Sequence, residues 1–215
     1  LKDIIAGEKA SLKVKKITKV LRSKKIDNFF ISAGENICWL LNIRGKDLPN
    51  SPVANCRLIL TKNNRIYFFS DKTKTSKIKT LQKKLNISFH NENEFFEILC
   101  KIKKTSFCID GQTCSIFDQE LINSKFLIKK KIDPIYFFKS IKNKIEIKNM
   151  KKAHVEDGVA LTKFLYWIKN INVNKLNELE IEKKLENFRK KNKNFLYPSF
   201  NTIAGSGPNG AIIHY

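Results

Sequence analysis

Residues 56–70 read CRLILTKNNRIYFFS, in which two short apolar runs flank the polar segment TKNN. Branched aliphatic and aromatic side chains dominate both runs, and such residues are enriched in buried strands. The connecting segment has the length and the composition of a hairpin turn. The stretch therefore predicts two neighbouring antiparallel strands, so the sheet that contains them is not purely parallel.

Strand and helix patterns alternate on both sides of this hairpin. Before it, apolar residues at helical spacing predict a helix over 9–24, and the run NFFIS predicts a buried strand over 28–32. After it, the patterns predict helices at about 74–85, 92–103 and 116–123, and short strands at ISF, SFCID and KFLIKK. The fold class that we predict is α/β, with a mixed sheet.

The pattern changes near residue 140. Residues 139–171 carry apolar side chains at helical spacing, which predicts one long helix. The apolar stripe of that helix consists of Met150, Ala153, Leu161, Phe164, Ile168 and Ile171. We therefore predict two domains, a complete one over 1–140 and the truncated beginning of a second over 141–215.

A second helix and a glycine-rich turn follow. Asn177 and Glu180 have the spacing of a capping box, which predicts a helix from about 177 to 191. Beyond it, the apolar runs SFNTIA and AIIHY predict two strands joined by the turn GSGPNG. The second domain is therefore expected to open with two helices and two strands.

The turn contains Gly205-x-Gly207-x-x-Gly210, which is the spacing of a dinucleotide-binding fingerprint. That fingerprint requires a helix to begin at its last glycines, so that the helix N-terminus meets the pyrophosphate. Here the following residues are β-like, and Pro208 interrupts the motif. A Walker loop is excluded as well, because no Gly-Lys-Ser/Thr follows. The turn is better interpreted as a hairpin whose second strand carries His214.

The chain is strongly basic, with a formal net charge of +22 over 215 residues. Such a charge is typical of proteins that bind nucleic acid. However, the excess is almost all lysine, and lysine, asparagine and isoleucine share A/T-rich codons, so codon bias also explains it. The lysines are dispersed and flank apolar segments. We favour solvated surface lysines and expect neither nucleic acid nor a membrane as a partner.

Targeting and cysteine patterns favour a cytoplasmic protein. No run of about 18 apolar residues exists, which excludes a membrane-spanning helix, and the first residues lack the apolar core of a signal peptide. The five cysteines form no C-x-x-C pair, so reduced buried thiols are expected rather than a zinc site or a disulfide framework. The chain begins with Leu rather than Met, which indicates a fragment.

Four ordered stretches carry a family resemblance. They are WLLNIRGKDLPNSPV (39–53), KSIKNKIEIKNMKKAHVEDGVALTKFLYWI (139–168), LNELEIEKKLENFRKK (176–191) and SFNTIAGSGPNGAIIHY (199–215). In this order they resemble the middle-domain signature, the linker with the first catalytic helix, the second helix and the first catalytic strands of Xaa-Pro aminopeptidases. The resemblance is to the long three-domain type, aminopeptidase P, within the creatinase or pita-bread metallopeptidases.

The resemblance implies a fold and a reaction. The fold would be a creatinase N-terminal-like α/β domain with a mixed sheet, followed by the first two helices and two strands of a pita-bread (α+β) domain. The parent protein would hydrolyse peptides with proline at the second position, at the bond before that proline, and would be a cytoplasmic homodimer. Two divalent metal ions, usually manganese, would activate the attacking water. The family's Asp, His and Glu ligands lie downstream, so this fragment is expected to hold no metal and to be inactive.

The resemblance also supplies site candidates. His214 corresponds to the family's histidine after the glycine turn, which faces the substrate and assists its binding and proton movement. Arg44 and Asp47, in the loop that contains NIRG, are candidates for a domain or dimer contact, and a loop-stabilising ion pair explains them equally well. His154 and Asp157 share a helix face, and we interpret them as a local polar pair rather than a metal site.

Two alternatives to the peptidase stay open from the sequence. One is a non-catalytic pita-bread relative, because the metal ligands are not in these residues. The other is a basic nucleic-acid-binding protein, for which the net charge of +22 is the argument.

Overall fold

The computed structural model describes residues 1–103, 105–172 and 176–213. Contacts divide the chain into two compact units, the first consisting of Leu1–Leu48 with Pro52–Asn143 and the second of Pro49–Ser51 with Lys144–Tyr215. The domain boundary that the sequence predicts between residues 140 and 141 stays a prediction.

The strands of the first unit form one mixed sheet. They are β1 (Asn28–Ile31), β2 (Arg57–Thr61), β3 (Ile66–Phe69), β4 (Ile87–His90), β5 (Phe107–Ile109) and β6 (Ile128–Lys130). The order across the sheet is β4-β3-β2-β1-β5-β6. β2 runs antiparallel to both of its neighbours, and every other neighbouring pair is parallel. The predicted hairpin is therefore β2 with β3, and the α/β class with a mixed sheet is confirmed.

Helices cover both faces of this sheet. They are α1 (Asp3–Ala6), α2 (Ala10–Ser23), α3 (Gly34–Leu41), α4 (Lys72–Ser76), α5 (Phe95–Lys101), α6 (Ile116–Asn123) and α7 (Pro134–Ser140). Because side chains alternate along a strand, Phe29 and Ile31 of β1 enter a core with α2, α3 and α7, whereas Phe30 enters a core with α5 and α6. Burying each phenylalanine stabilises the fold by about 1.5–3 kcal/mol.

Two predicted helices of this unit are shorter than expected. The segment 74–85 forms α4 and then a separate 3-10 turn at Lys79–Lys83. Thr75 Oγ1 donates to the Lys72 carbonyl, so hydroxyl groups here compete with the regular helical pattern. The segment 92–103 begins as a 3-10 turn and becomes α-helical only in α5.

The long helix predicted from residue 139 begins later in the structure. α7 is a separate helix that ends at Ser140, and α8 (Lys144–Lys169) follows after an interruption. Ile141 is extended, with φ −86° and ψ 101°, and Asn143 Nδ2 donates to the Ala6 carbonyl at 2.9 Å. The interruption is therefore fixed by a contact with the far end of the chain, which local periodicity does not reveal.

The described residues of the second unit form α8, α9 (Glu178–Lys190) and a 3-10 turn at Gly207–Ala211. The capping box is confirmed, because the Asn177 side chain accepts from the Glu180 N–H and the Glu180 carboxylate accepts from the Asn177 N–H. The described residues of the two predicted strands are not in strand conformation, and the last two residues of the second, His214 and Tyr215, lie outside the described residues. A strand needs a neighbour to complete its hydrogen bonds, and no such pairing exists for the described residues from 198 to 213. The predicted stripe is also largely solvent-facing, and Ala160 is the buried residue of α8.

Within the described ranges, no helix combines the length and the apolar character needed to cross a membrane.

Candidate functional site

The loop between α3 and β2, residues 42–56, contains the NIRG motif. α3 ends at Leu41 and is capped by Asn42, whose φ of 55° lies in the left-handed region that asparagine tolerates. The Gly45 N–H donates to the Pro52 carbonyl at 3.1 Å, which folds the loop back on itself. A Cβ at Gly45 would lie 2.4 Å from the Ala54 Cα, so glycine is required there by the close approach of two backbone segments.

A buried lysine holds the start of this loop. Lys13 of α2 is only 2% exposed, and its Nζ donates to the Trp39 carbonyl at 3.0 Å and to Asn42 Oδ1 at 2.8 Å. The same ammonium lies 4.0 Å from the centroid of the Trp39 ring. Carbonyl oxygens at a helix C-terminus carry partial negative charge, so Lys13 stabilises the end of α3 and the conformation in which the loop begins.

Asp47 forms an ion pair, but its partner is Lys74 of α4 rather than Arg44. Asp47 Oδ2 accepts from Lys74 Nζ at 2.9 Å and from the Asn55 N–H at 2.7 Å. Both hydrogen bonds, that of Lys74 first, lower the pKa of the Asp47 carboxyl. Both side chains are accessible to solvent, so the ion pair contributes little to the stability of the unit. Its main effect is to fix the conformation of the loop.

Arg44 is exposed, and none of the described residues forms a hydrogen bond or an ion pair with its side chain. It lies on a cleft of about 320 Å³. The cleft is lined by apolar Ile43, Phe68 and Ile78 and by basic Lys46, Lys74 and Lys77. A guanidinium in this position can donate to a carboxylate or to a backbone carbonyl of another segment.

A buried polar network that sequence reasoning missed lies at the carboxyl ends of β1 and β5. Asp133 caps α7, and its Oδ1 accepts from the Ile135 N–H at 2.8 Å. Its Oδ2 accepts from Asn36 Nδ2 at 2.7 Å, and Asn36 Oδ1 accepts from Lys139 Nζ at 2.6 Å. The Asp133 N–H donates to Asp110 Oδ2 at 2.8 Å. One buried amide therefore connects a cation to a carboxylate.

Burial dominates the electrostatics of this network. Desolvation raises the pKa of Asp133 to about 6, against the opposing hydrogen bonds from Ile135 and Asn36. Desolvation likewise lowers the pKa of Lys139. The Asp-Pro pair at 133–134 is a helix-start signal that could have identified Asp133. Its contact with Asn36 spans 97 residues and has no local signal.

A second polar cluster lies at the same edge of the sheet. Arg57 of β2 forms an ion pair with Asp118 of α6, and Asp118 Oδ2 also accepts from Ser115 Oγ at 2.9 Å. Together with Ser32 and Thr113, these residues line a pocket of about 290 Å³. The lining of this pocket contains hydroxyl groups and an arginine–aspartate ion pair. It is therefore suited to a small polar molecule rather than to an apolar one.

In the second unit the glycine turn binds to the start of α9. The Ser206 N–H and Asn209 Nδ2 donate to Glu178 Oε1 at 2.6 Å and 3.2 Å. Gly207 has a φ of 53°, a left-handed conformation that glycine adopts without strain. His214, the histidine that we expect to face the substrate, lies outside the described residues.

The polar side chains of α8 bind to separate partners. His154 Nδ1 lies 2.9 Å from a backbone carbonyl one turn earlier, and Asp157 binds Arg189 through two hydrogen bonds of 2.7 Å and 3.1 Å. Glu156 accepts from Asn192 Nδ2 at 2.8 Å. Across the described ranges, no group of three or more His, Cys, Asp or Glu side chains could hold a metal ion. These residues therefore do not fit the metal pair that the resemblance implies.

Two family models match consecutive parts of the chain. Residues 1–146 match the creatinase/prolidase N-terminal domain, which is more than half of the sequence. The chain belongs to the creatinase/prolidase N-terminal domain family. Residues 148–215 match metallopeptidase family M24. The resemblance drawn from the four sequence stretches is thereby confirmed.

The similar proteins are named as Xaa-Pro or X-prolyl aminopeptidases. The chain is 32% identical to a probable Xaa-Pro aminopeptidase P of Sordaria macrospora, with 98% of this chain and 36% of that protein covered. It is 33% identical to Xaa-Pro aminopeptidase 1 of Dictyostelium discoideum, and this match covers 100% of this chain and 35% of that protein. The chain is also similar to the X-prolyl aminopeptidase of Caenorhabditis elegans, which is described as a cytosolic enzyme with a di-nuclear active site. The two structures superpose with a TM-score of 0.85 at 26% sequence identity, and the match covers 94% of this chain and 34% of that protein. The chain therefore spans about a third of the length of these relatives.

Proposed function

We propose that this chain is part of a metal-dependent aminopeptidase that hydrolyses the N-terminal Xaa-Pro peptide bond. The observation that carries the proposal is the match of 98% of the chain, across both family models, to a protein with that name. A match confined to the first domain would support the fold alone, because the same fold hosts different functions. Here the match continues into the M24 region.

The proposed substrates are peptides with proline at the second position, and the reaction is metal-assisted hydrolysis. Two divalent ions, manganese in our proposal, would be bound by residues beyond 1–215. The di-nuclear site named for the C. elegans enzyme supports the number of ions. The described residues offer no ligand set, so we expect the 215-residue chain alone to be inactive.

Three residues have proposed roles. His214 would bind the substrate and move a proton, because an imidazole titrates near neutral pH. Arg44 would bind another domain or a second subunit of a homodimer, which its exposure and its lack of a partner among the described residues support. Asp47 would hold the loop in place through Lys74. A cytoplasmic location is supported by the description of the C. elegans relative as cytosolic.

The test compares the full-length protein with the 215-residue chain on two peptides that differ only by proline or alanine at the second position. Both proteins are stripped with a chelator and then supplied with manganese. We expect the full-length protein to cleave the proline peptide only when metal is restored, and the short chain to cleave neither. A full-length protein that is inactive with every divalent metal would identify a non-catalytic relative.

The role of His214 has a separate test in the full-length protein. His214→Gln should lower kcat about 10²-fold or more while the metal content stays unchanged. The matched control is His154→Gln, because His154 is exposed and hydrogen-bonds to a backbone carbonyl of its own helix. Equal activity of the two variants would remove His214 from the proposed site.

A further inference from the structure

The sheet gathers basic side chains that the linear sequence scatters. β1, β3, β4, β5 and β6 all run in one direction, so the connections that precede them meet at the same, amino edge of the sheet. The register aligns their first residues, since Asn28 pairs with Phe107 and Ile66 pairs with Ile87. We call the exposed cations at this edge the basic edge. They are Arg22 in the last turn of α2, and Lys24, Lys25, Lys62, Arg65, Lys83, Lys84 and Lys103 in the connections.

Acidic side chains are nearly absent from this edge. Among the described residues of 22–27, 61–65, 83–86, 103–106 and 124–127, Asp27 is the one carboxylate, and it forms an ion pair of 2.6 Å with Lys62. Lys129 extends the edge, because its Nζ lies 3.5 Å from the Lys25 carbonyl. The opposite edge carries acidic residues after the strands, Glu35, Asp71, Glu92, Glu94, Asp110 and Asp133, together with basic residues such as Arg57, Lys72, Lys74, Lys77 and Lys131. The basic edge therefore differs from the opposite edge in having cations with almost no carboxylates.

The arrangement suits a linear polyanion. Strands lie about 4.8 Å apart, so a row over six strands extends about 24 Å, the length of several successive phosphates. Exposed Asn63 supplies an amide beside the cations. A membrane-binding surface would also be expected to present apolar side chains, but Leu127 is the exposed large hydrophobic residue within the described connections. The charge pattern therefore favours nucleic acid over a lipid surface.

We propose that the basic edge binds the phosphate backbone of nucleic acid without reading its sequence. Lysine and arginine contacts to phosphate supply affinity by releasing counterions, and they carry no base specificity. The proposal goes beyond the peptidase activity and does not depend on it. It also differs from the expectation drawn from the dispersed lysines, because strand order brings together cations that are far apart in the sequence.

The test measures binding of the 215-residue chain to a fluorescein-labelled oligouridylate over a series of salt concentrations. The edge variant combines Lys24→Gln, Lys25→Gln, Arg65→Gln and Lys84→Gln. The control variant has the same net charge and combines Lys46→Gln, Lys72→Gln, Lys77→Gln and Lys131→Gln, none of which belongs to the basic edge. Circular dichroism checks that each variant is folded.

Four lost phosphate contacts should reduce the slope of log affinity against log salt by about 3, which corresponds to about 600-fold weaker binding at about 0.1 M salt. The control variant should bind as the unmodified chain does. Equal weakening of both variants, or no binding by the unmodified chain at low salt, would overturn the proposal. So would binding to phosphatidylserine vesicles but not to the oligouridylate. If the edge variant does not fold, Lys83→Gln with Lys103→Gln replaces it, and the expected change in slope is halved.

Discussion

Replacing Asn36 with alanine should destabilise the first unit in a pH-dependent way. The Asn36 side chain is fully buried, and its amide donates to the Asp133 carboxylate at 2.7 Å and accepts from Lys139 Nζ at 2.6 Å. A hydrogen bond to a charged group contributes about 1.5–3 kcal/mol. In the variant Lys139 can turn towards water, whereas the buried Asp133 carboxylate keeps an unfilled acceptor. We therefore expect the free energy of unfolding to fall by about 3 kcal/mol above neutral pH.

The sign of the pH effect follows from the raised pKa of Asp133. Burial moves that pKa from its ordinary 3.8 to about 6, so between these values the folded chain binds a proton that the unfolded chain does not. Stability therefore falls as pH rises from about 4 to about 6 and stays level above that range. In the Asn36→Ala variant the charged carboxylate has lost a donor. The loss of unfolding free energy caused by Asn36→Ala should thus be about 1 kcal/mol larger at about pH 8 than at about pH 5, where the Asp133 carboxyl is mostly neutral.

Urea unfolding followed by circular dichroism, carried out at the two pH values, measures the loss of unfolding free energy and its dependence on pH. Asn28→Ala is the matched control, because Asn28 is also buried but donates to the neutral Thr105 Oγ1 at 2.7 Å. Its cost should be the same at both pH values. The reasoning is refuted if the Asn36→Ala cost is equal at the two values or larger in acid.

Three further predictions concern the glycines and thiols. Gly45→Ala would place a Cβ 2.4 Å from the Ala54 Cα, so unfolding free energy should fall by about 1–3 kcal/mol in a urea titration. Gly158→Ala in α8 meets nothing described within 4 Å and should instead raise helix stability by about 1 kcal/mol, which thermal melts would detect. Cys100 is exposed, whereas Cys108 is buried with its pKa raised to about 11 by desolvation. Mass spectrometry after brief alkylation of the folded chain should find Cys100 modified and Cys108 intact, and the opposite order would contradict the burial described.

Local patterns predicted the parts of the fold whose causes are local. The hairpin of β2 and β3 and the capping box at Asn177 each depend on a few neighbouring residues, and both are confirmed. The continuous helix from residue 139 is wrong, because Asn143 bonds to Ala6 at the other end of the chain. The predicted strands around the glycine turn do not form in the described residues for a similar reason: apolar alternation allows a strand, but a pairing partner decides whether one forms.

In the candidate site, too, features with a local cause could be predicted from the sequence and features that depend on distant residues could not. Its loop was found from the NIRG motif, since a family signature is written in consecutive residues. The partner of Asp47 was not, because Lys74 lies 27 residues further along the chain. The network of Asp133 and Asn36 spans 97 residues, so no window of sequence contains it.

The sequence by itself determined the alternation of strand and helix, the family and the excess of lysine, because periodicity, ordered motifs and composition are properties of the linear chain. Only the tertiary structure decided what the charged residues do. It buried Lys13 against the end of α3, paired Asp47 with Lys74 and aligned the cations before five parallel strands on one edge. These outcomes depend on strand order and register, which arise from contacts between distant segments.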